Sequence, residues 1–264
     1  MTIPVSEGRY RGCLIGGAVG DALGAPVEFC SLSEITSQFG AGGVGDFVPA
    51  YGLLGAITDD TQMTLFTAEG LICAFGLAIE LAVLTHSHPN SSLSAGFFAA
   101  TVARLAAGNS LRSAVGAGAQ TLRLRPGAEE VLSAVEHAQV LAASGSASAA
   151  RVEELGKGWI AEEALAMALY AVLAAQNFEE GVVLAVNHSG DSDSTGSIAG
   201  NLAGAAYGVG SIPQRWLEHL QLRDEIAVLA DGYRADWLLL VSCRFGSKEI
   251  VDRDYGGSYY YFLR

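Results

Sequence analysis

The stretch Asp191-Ser-Asp-Ser-Thr-Gly-Ser-Ile-Ala-Gly-Asn-Leu-Ala-Gly-Ala-Ala-Tyr-Gly208 places glycine at 196, 200, 204 and 208, every fourth residue. That spacing puts all four on one face of a helix. A glycine inside a helix costs roughly 1 kcal/mol relative to alanine, so four in register mark a face that a neighbouring element approaches closely. The same spacing occurs at Gly12, Gly16, Gly20 and Gly24, in a helix that Ser6 can cap and that runs to about Leu23. The two patterns predict two helices at the centre of a bundle, each with its thin face against another helix.

The rest of the chain is consistent with such a bundle. Of 264 residues, half are hydrophobic and 16% are charged, a composition that folds rather than stays disordered and can bury a sizeable core. Ser31 opens a short helix to Phe39, and a glycine-rich loop spans Gly40 to Gly55. The residues from Met63 to about Leu84 are nearly all apolar, with Gly76 as a break, and read as buried. A polar loop, Thr85 to Asn90, precedes a helix that Ser91–Ser94 opens and that ends near Ala107. Ser110 starts the next, and Pro126 opens a segment to Ala143 with Glu129, Glu130, Glu136 and His137 on its solvated face. A Ser/Ala/Gly connector follows, then a Gly156-Lys-Gly-Trp159 turn, an apolar central helix from Ala161 to Ala175, and a helix from Phe178 to Val186. No period-two strand pattern appears before the tail. The expectation is one all-α domain, a compact orthogonal helical bundle over residues 1–232, with 233–264 unassigned.

Composition excludes several classes. The longest apolar run, Ala164 to Ala175, is shorter than a membrane span of about 18–20 residues, so no membrane segment is expected. The N-terminus shows no signal-peptide pattern. The cysteines at 13, 30, 73 and 243 form no Cys-x-x-Cys pair, which argues against a zinc knuckle or disulfide framework and for a cytoplasmic, reduced protein. A formal charge of −13 and a pI near 4.7 disfavour nucleic acid as a partner, because phosphate binding relies on Lys and Arg.

Two acidic motifs carry the chemistry. Asn187-His-Ser-Gly-Asp-Ser-Asp-Ser-Thr-Gly196 sets two carboxylates and hydroxyls directly ahead of the glycine-striped helix, and Ile57-Thr-Asp-Asp-Thr-Gln62 repeats the pattern before another apolar run. Oxygen donors at such short spacing suit a hard divalent cation. Asp59, or Asp193-Ser194, taken alone could simply cap a helix, and Asp59 with Gln62 has capping-box spacing. A cap needs one acceptor, however, and each motif offers a pair. Four carboxylates brought together require a cation or protons, so the two motifs are expected to form halves of one metal centre.

The segment Gly12-Cys-Leu-Ile-Gly-Gly-Ala-Val-Gly-Asp-Ala-Leu-Gly-Ala-Pro-Val-Glu28, the Thr58-Asp-Asp-Thr61 motif, the Thr85-His86 loop, Gly158-Trp159 with Ala161-Glu-Glu-Ala164, and Gly190-Asp-Ser-Asp-Ser-Thr-Gly196 together resemble the ADP-ribosylglycohydrolase family. The resemblance implies an all-α fold with two Mg²⁺ ions, for which Mn²⁺ could substitute, bound at helix N-termini. Its substrate class would be ADP-ribose attached to a protein side chain, arginine in the branch with this form of the second motif. Carried over by position, Thr58, Asp59, Asp60, Asp191, Asp193 and Ser194 would ligate metal, with Asp193 placed to bridge and Thr195 as a competing hydroxyl. Asp59 or Asp60 would handle a proton.

Other positions carry a functional and a plainer reading side by side. Glu28 matches a glutamate that guards the metal site in relatives, or is an exposed acid after a proline turn. His86 matches a ligand-contacting loop residue, or is simply solvated. Gly156, Gly158 and Trp159 would border the ribose or adenine, unless Trp159 belongs to the core. One departure stands out: the glycine-rich loop that wraps the ADP-ribose phosphates in relatives is missing, since Leu71–Gly76 runs straight into Leu77–His86. Three readings follow: an Mg²⁺-dependent ADP-ribosyl hydrolase, an impaired relative that binds metal or ADP-ribose, or a metal-dependent phosphohydrolase.

Overall fold

A computed structural model describes residues 8–61, 64, 79, 82–84 and 86–231. Ten helices have both ends described: α1 (Arg9–Gly24), α2 (Leu32–Phe39), α3 (Pro89–Ala106), α4 (Leu111–Arg123), α5 (Glu129–Ala143), α6 (Ala149–Glu153), α7 (Ala161–Ala174), α8 (Phe178–Val186), α9 (Ser192–Tyr207) and α10 (Gln214–Leu217). Short 3₁₀ turns follow α1 and α9, and residues 59–61 and 223–231 are also helical. Among the described residues there is no strand, apart from an isolated bridge between Ala50 and Leu53. The fold is all-α, and among the described residues no single helix is long and apolar enough to cross a membrane.

The two glycine stripes face each other. A methyl group on Gly12, Gly16 or Gly20 would collide with the backbone carbonyl of Gly204, Gly200 or Gly196, and one on Gly24 with that of Ser192. The reverse holds for Gly196, Gly200 and Gly204 against Gly20, Gly16 and Gly12. As one index rises the other falls, so α1 and α9 lie antiparallel in backbone contact. The hydrogen on each glycine Cα points toward a carbonyl oxygen across the interface, the geometry of a weak C–H···O contact. Spacing alone predicted a thin face on each helix; the structure shows that each is the other's partner.

Around this pair α9 packs on α8, α7 and α3, while α7 packs on α5 and α3 on α4. Helix α7 is buried nearly all round: Ala164 through Leu173 are all buried. Its expected limits hold to within one residue, and α8 has the expected limits. Ser31 caps α2 in a capping box with Glu34, and Ser110 caps α4. Two starts are corrected. His88, not Ser91, caps α3, its Nδ1 accepting the Asn90 amide at 3.2 Å with Pro89 in the first turn. Helix α5 begins at Glu129 rather than Pro126. Glu129, Glu130, Glu136 and His137 are exposed, as expected for a solvated face.

Several sequence expectations fall outside the described residues: the Ser6 cap, Gln62 as capping partner, most of the apolar segment from Met63 to Leu84 with Gly76, and the segment 233–264. At the described end of that apolar segment Val83 and Leu84 are exposed, against the expectation that it is buried.

The glycine contact makes a sharp stability prediction. Gly200→Ala should cost about 2–3 kcal/mol or more, because its Cβ meets backbone that cannot rotate away. For a domain of this size that lowers Tm by roughly 4–12 °C. Gly116→Ala is the control, since nothing lies within 4 Å of its Cβ position in α4, and it should be neutral or stabilising by up to about 1 kcal/mol. Thermal unfolding followed by circular dichroism separates the two; a Gly200→Ala protein as stable as wild type would contradict the packing.

Candidate metal centre

Antiparallel packing of α1 on α9 sets the C-terminal end of α1 beside the N-terminal end of α9. The first brings Asp21 and, after the 3₁₀ turn, Glu28; the second brings Asp191, Asp193 and Ser194. Carboxylate oxygens of Glu28, Asp191 and Asp193 all lie within 4.8 Å of one another. Ser194 is within hydrogen-bonding reach of the carboxylates of Asp60 and Asp191, which ties the first acidic motif to the second. The two motifs therefore meet.

Local structure explains how each acid is held. Asp191 occupies the N-cap position of α9, yet its side chain caps nothing. Instead its amide donates to the Lys157 carbonyl at 2.9 Å, fixing the backbone while the carboxylate turns toward Asp193 and Ser194. Asp193 sits in the first turn, its Oδ1 accepting the Ser194 amide at 2.9 Å, and it faces both Glu28 and Asp191. Thr195 does not compete as a site hydroxyl. Its side chain is fully buried, with Oγ1 2.8 Å from His188 Nε2 and 2.9–3.0 Å from the carbonyls of Asp191 and Ala185. Burial disfavours the charged form of His188, so a neutral imidazole pins this turn.

In the first motif the cap is Thr58, whose Oγ1 accepts the Asp60 amide at 3.2 Å; Asp59 is the first helical residue rather than the expected cap. Beneath it lies Asp21, which the sequence reading did not single out. It is fully buried and accepts from the Thr58 amide (2.9 Å), the Thr58 hydroxyl (2.8 Å), the Thr61 amide (3.1 Å) and the Thr61 hydroxyl. The one signal for it was a lone acid within an apolar, glycine-striped helix.

The electrostatics are those of crowded carboxylates. Burial first, with neighbouring negative charges such as Asp193 adding to it, pushes Glu28 and Asp60 each up to about 7 and Asp191 to about 8. The same burial raises Asp21 to about 6, against the lowering effect of its threonine hydrogen bonds. Such a group of acids holds protons at neutral pH or is neutralised by a cation. Oxygen donors from carboxylates and hydroxyls are the set a hard divalent ion takes, so the residues fit Mg²⁺ or Mn²⁺.

Aromatic side chains rim the acids. Phe29, next to Glu28, is 78% exposed and stacks on Trp159, itself 50% exposed, at 5.9 Å between ring centroids. Trp159 is therefore not a core residue. Gly158, beside it, has a positive φ of 81° and packs against Asp191 and Thr195. The loop is fixed by Glu163, whose carboxylate accepts the Lys157 amide at 2.9 Å and the Gly158 amide at 3.3 Å. Tyr51, in a turn with a left-handed φ of 50°, feels the charges of Glu28, Asp193, Asp21 and Asp59. Asp59 and His86 are exposed, His86 in the loop before α3 with its amide on the Ala82 carbonyl.

The ADP-ribosylglycohydrolase family profile matches residues 3–76 and, in a second segment, 73–244. An uncharacterized protein of Archaeoglobus fulgidus is 31% identical over 294 positions, covering 85% of this chain and 95% of that protein. The ADP-ribosyl-[dinitrogen reductase] glycohydrolase of Rhodospirillum rubrum is 28% identical over 283 positions, covering 85% and 94%. Both alignments are longer than this 264-residue chain, so both relatives carry residues it lacks. The ADP-ribosylarginine hydrolase Tri1 of Serratia proteamaculans is 26% identical over 74% of this chain and 50% of its own length. A solved structure described as an ADP-ribosylglycohydrolase-related protein complex superposes with a TM-score of 0.47 at 28% identity, over 84% of this chain and 95% of that one. With its profile matched over most of its length, this chain belongs to the ADP-ribosylglycohydrolase family, a family of hydrolases.

Proposed function

We propose that this chain is a Mg²⁺-dependent hydrolase that removes ADP-ribose from protein side chains, arginine first among them, with residues 1–232 as its catalytic domain. The observation that carries the reading is the meeting of the two acidic motifs, with Glu28, Asp191 and Asp193 in reach of a common point and Ser194 joining Asp60 to them. Relatives named for action on ADP-ribosylated dinitrogen reductase and on ADP-ribosylarginine supply the substrate class.

Two ions would be held by Thr58, Asp59, Asp60, Asp191, Asp193 and Ser194, with Asp193 placed between the two sets. Bound there, they would orient ribose hydroxyls, lower the pKa of a water and offset developing negative charge. The chain's own side chains do the rest. Asp59 or Asp60 takes a proton from the attacking water, which adds to the anomeric carbon as the bond to nitrogen breaks and the nitrogen gains a proton. Glu28 closes the acidic centre from the α1 side. Trp159, stacked on Phe29, and Gly158 offer a flat edge for the ribose or the base, and His86, exposed in the loop before α3, would be a loop contact to the ligand.

A specific observation favours a second reading, in which the protein binds metal and ligand but turns over slowly. The family profile breaks at residues 73–76, and both long relatives carry residues missing here. Lost ligand contacts loosen positioning, and a misplacement of about 1 Å can cost on the order of 100-fold in rate.

Free ADP-ribose released from an arginine-ADP-ribosylated protein tests the function, with a serine-linked substrate in parallel. Release should require Mg²⁺, stop in EDTA and fall in Asp193→Ala by at least the roughly 10–100-fold that losing an outer-shell partner costs. AMP as product would instead identify a phosphohydrolase, and no product from a folded, Mg²⁺-binding protein would establish the slow reading.

Stability against pH tests the cation. The folded-state values of Glu28, Asp60 and Asp191 lie above the ordinary carboxylate range near 4. Their contribution to stability is therefore intact below about pH 4 and lost as pH rises through about 7 to 8. In EDTA the Tm should fall between about pH 6 and pH 8.5, and saturating Mg²⁺ should remove that fall. A Tm in EDTA that does not change over this window would contradict the crowding of these acids.

A further inference from the structure

We propose that Asp21 is a positioning residue for the cation: it takes the hydroxyl protons of Thr58 and Thr61 and thereby turns the Thr58 oxygen outward as a ready ligand. The inference rests on the reading of the acidic motifs as a metal centre. A hydroxyl can ligate a cation only through a lone pair, so its hydrogen must point elsewhere. Here the Thr58 hydroxyl donates to Asp21 Oδ1 at 2.8 Å. One of its lone pairs accepts the Asp60 amide at 3.2 Å. What remains is a single lone pair, its direction fixed by the other two contacts.

The other carboxylate oxygen of Asp21 does the same for the turn as a whole. Oδ2 accepts the amides of Thr58 (2.9 Å) and Thr61 (3.1 Å) and the Thr61 hydroxyl. Four donors from one helical turn converge on one buried carboxylate. They fix the turn on which Asp59 and Asp60 ride, although Asp21 belongs to α1 and lies 37 positions before Thr58. Thr58 and Thr61 are themselves 8% and 2% exposed, so no water substitutes readily for Asp21. The arrangement is that of an outer-shell partner, which orients a ligand without touching the ion. It also explains the acid's place in the sequence: one residue after Gly20, it occupies the part of α1 held in backbone contact with α9.

The test is Mn²⁺ affinity measured by titration calorimetry, beside helicity and Tm in EDTA. Three variants separate positioning from packing. Thr61→Val keeps the shape and removes the hydroxyl; Thr61→Ser keeps the hydroxyl; Asp21→Asn removes the charge and replaces one of the two acceptor oxygens by a donor. Thr61→Val should weaken Mn²⁺ binding by about 10-fold and Asp21→Asn by about 10–100-fold, while Thr61→Ser stays within about twofold of wild type. Valine and asparagine variants that bind Mn²⁺ as wild type does would overturn the inference while leaving the metal reading intact. So would serine and valine variants equally weakened, which would assign the effect to packing, or loss of fold in both Thr61→Val and Asp21→Asn, which would assign it to stability. Wild-type protein that binds no Mn²⁺ or Mg²⁺ would contradict the metal reading itself, and the inference with it.

Discussion

Backbone contact between α1 and α9 is the constraint on which the rest depends. A side chain at any of Gly12, Gly16, Gly20, Gly196, Gly200 or Gly204 would hold the helices apart. With hydrogens alone at these positions, the two backbones sit flush and antiparallel, and their register is set by which glycine meets which carbonyl. That register has a chemical consequence. It fixes Asp21 and the turn leading to Glu28 at the same end of the pair as Asp191 and Asp193. The acidic centre is thus assembled by a packing rule that operates along the whole length of two helices.

Crowding acids at one end of a helix pair works against folding unless something offsets it. Three carboxyls pushed to about 7–8 mark the cost of assembling them in a partly buried place. Part of the offset comes from the chain: the α9 N-terminus favours negative charge, and four donors satisfy Asp21. On the proposed reading a divalent cation would supply the remainder, which would couple metal binding to stability through the same residues. The α1–α9 interface, which contains no ligand, contributes by holding the acids where they cannot relax apart.

Much of this was legible in the sequence because its physics is local. Glycine at intervals of four says that a face is bare, and acids with hydroxyls ahead of apolar runs say that a helix starts at a polar site. What was not legible depends on which element faces which. Spacing could not show that the two stripes pair with each other, and so could not place Asp21 under the Thr58–Thr61 turn, or Phe29 on Trp159. Thr58 rather than Asp59 caps its helix because Asp21 anchors the Thr58 hydroxyl. Thr195 and Ser194 look equivalent in sequence; helical rotation sends one inward to His188 and the other to the acids. Trp159 read as either core or ligand-facing, and its position in a loop held by Glu163 leaves it half exposed.

The most direct test of the central claim, that packing of α1 on α9 builds a cation site from the two acidic motifs, is an anomalous difference map from crystals grown with Mn²⁺. The account predicts anomalous density among Glu28, Asp60, Asp191 and Asp193, with Thr58 and Ser194 turned toward it. Ordered side chains there with no anomalous density, or Mn²⁺ bound elsewhere on the molecule, would contradict it.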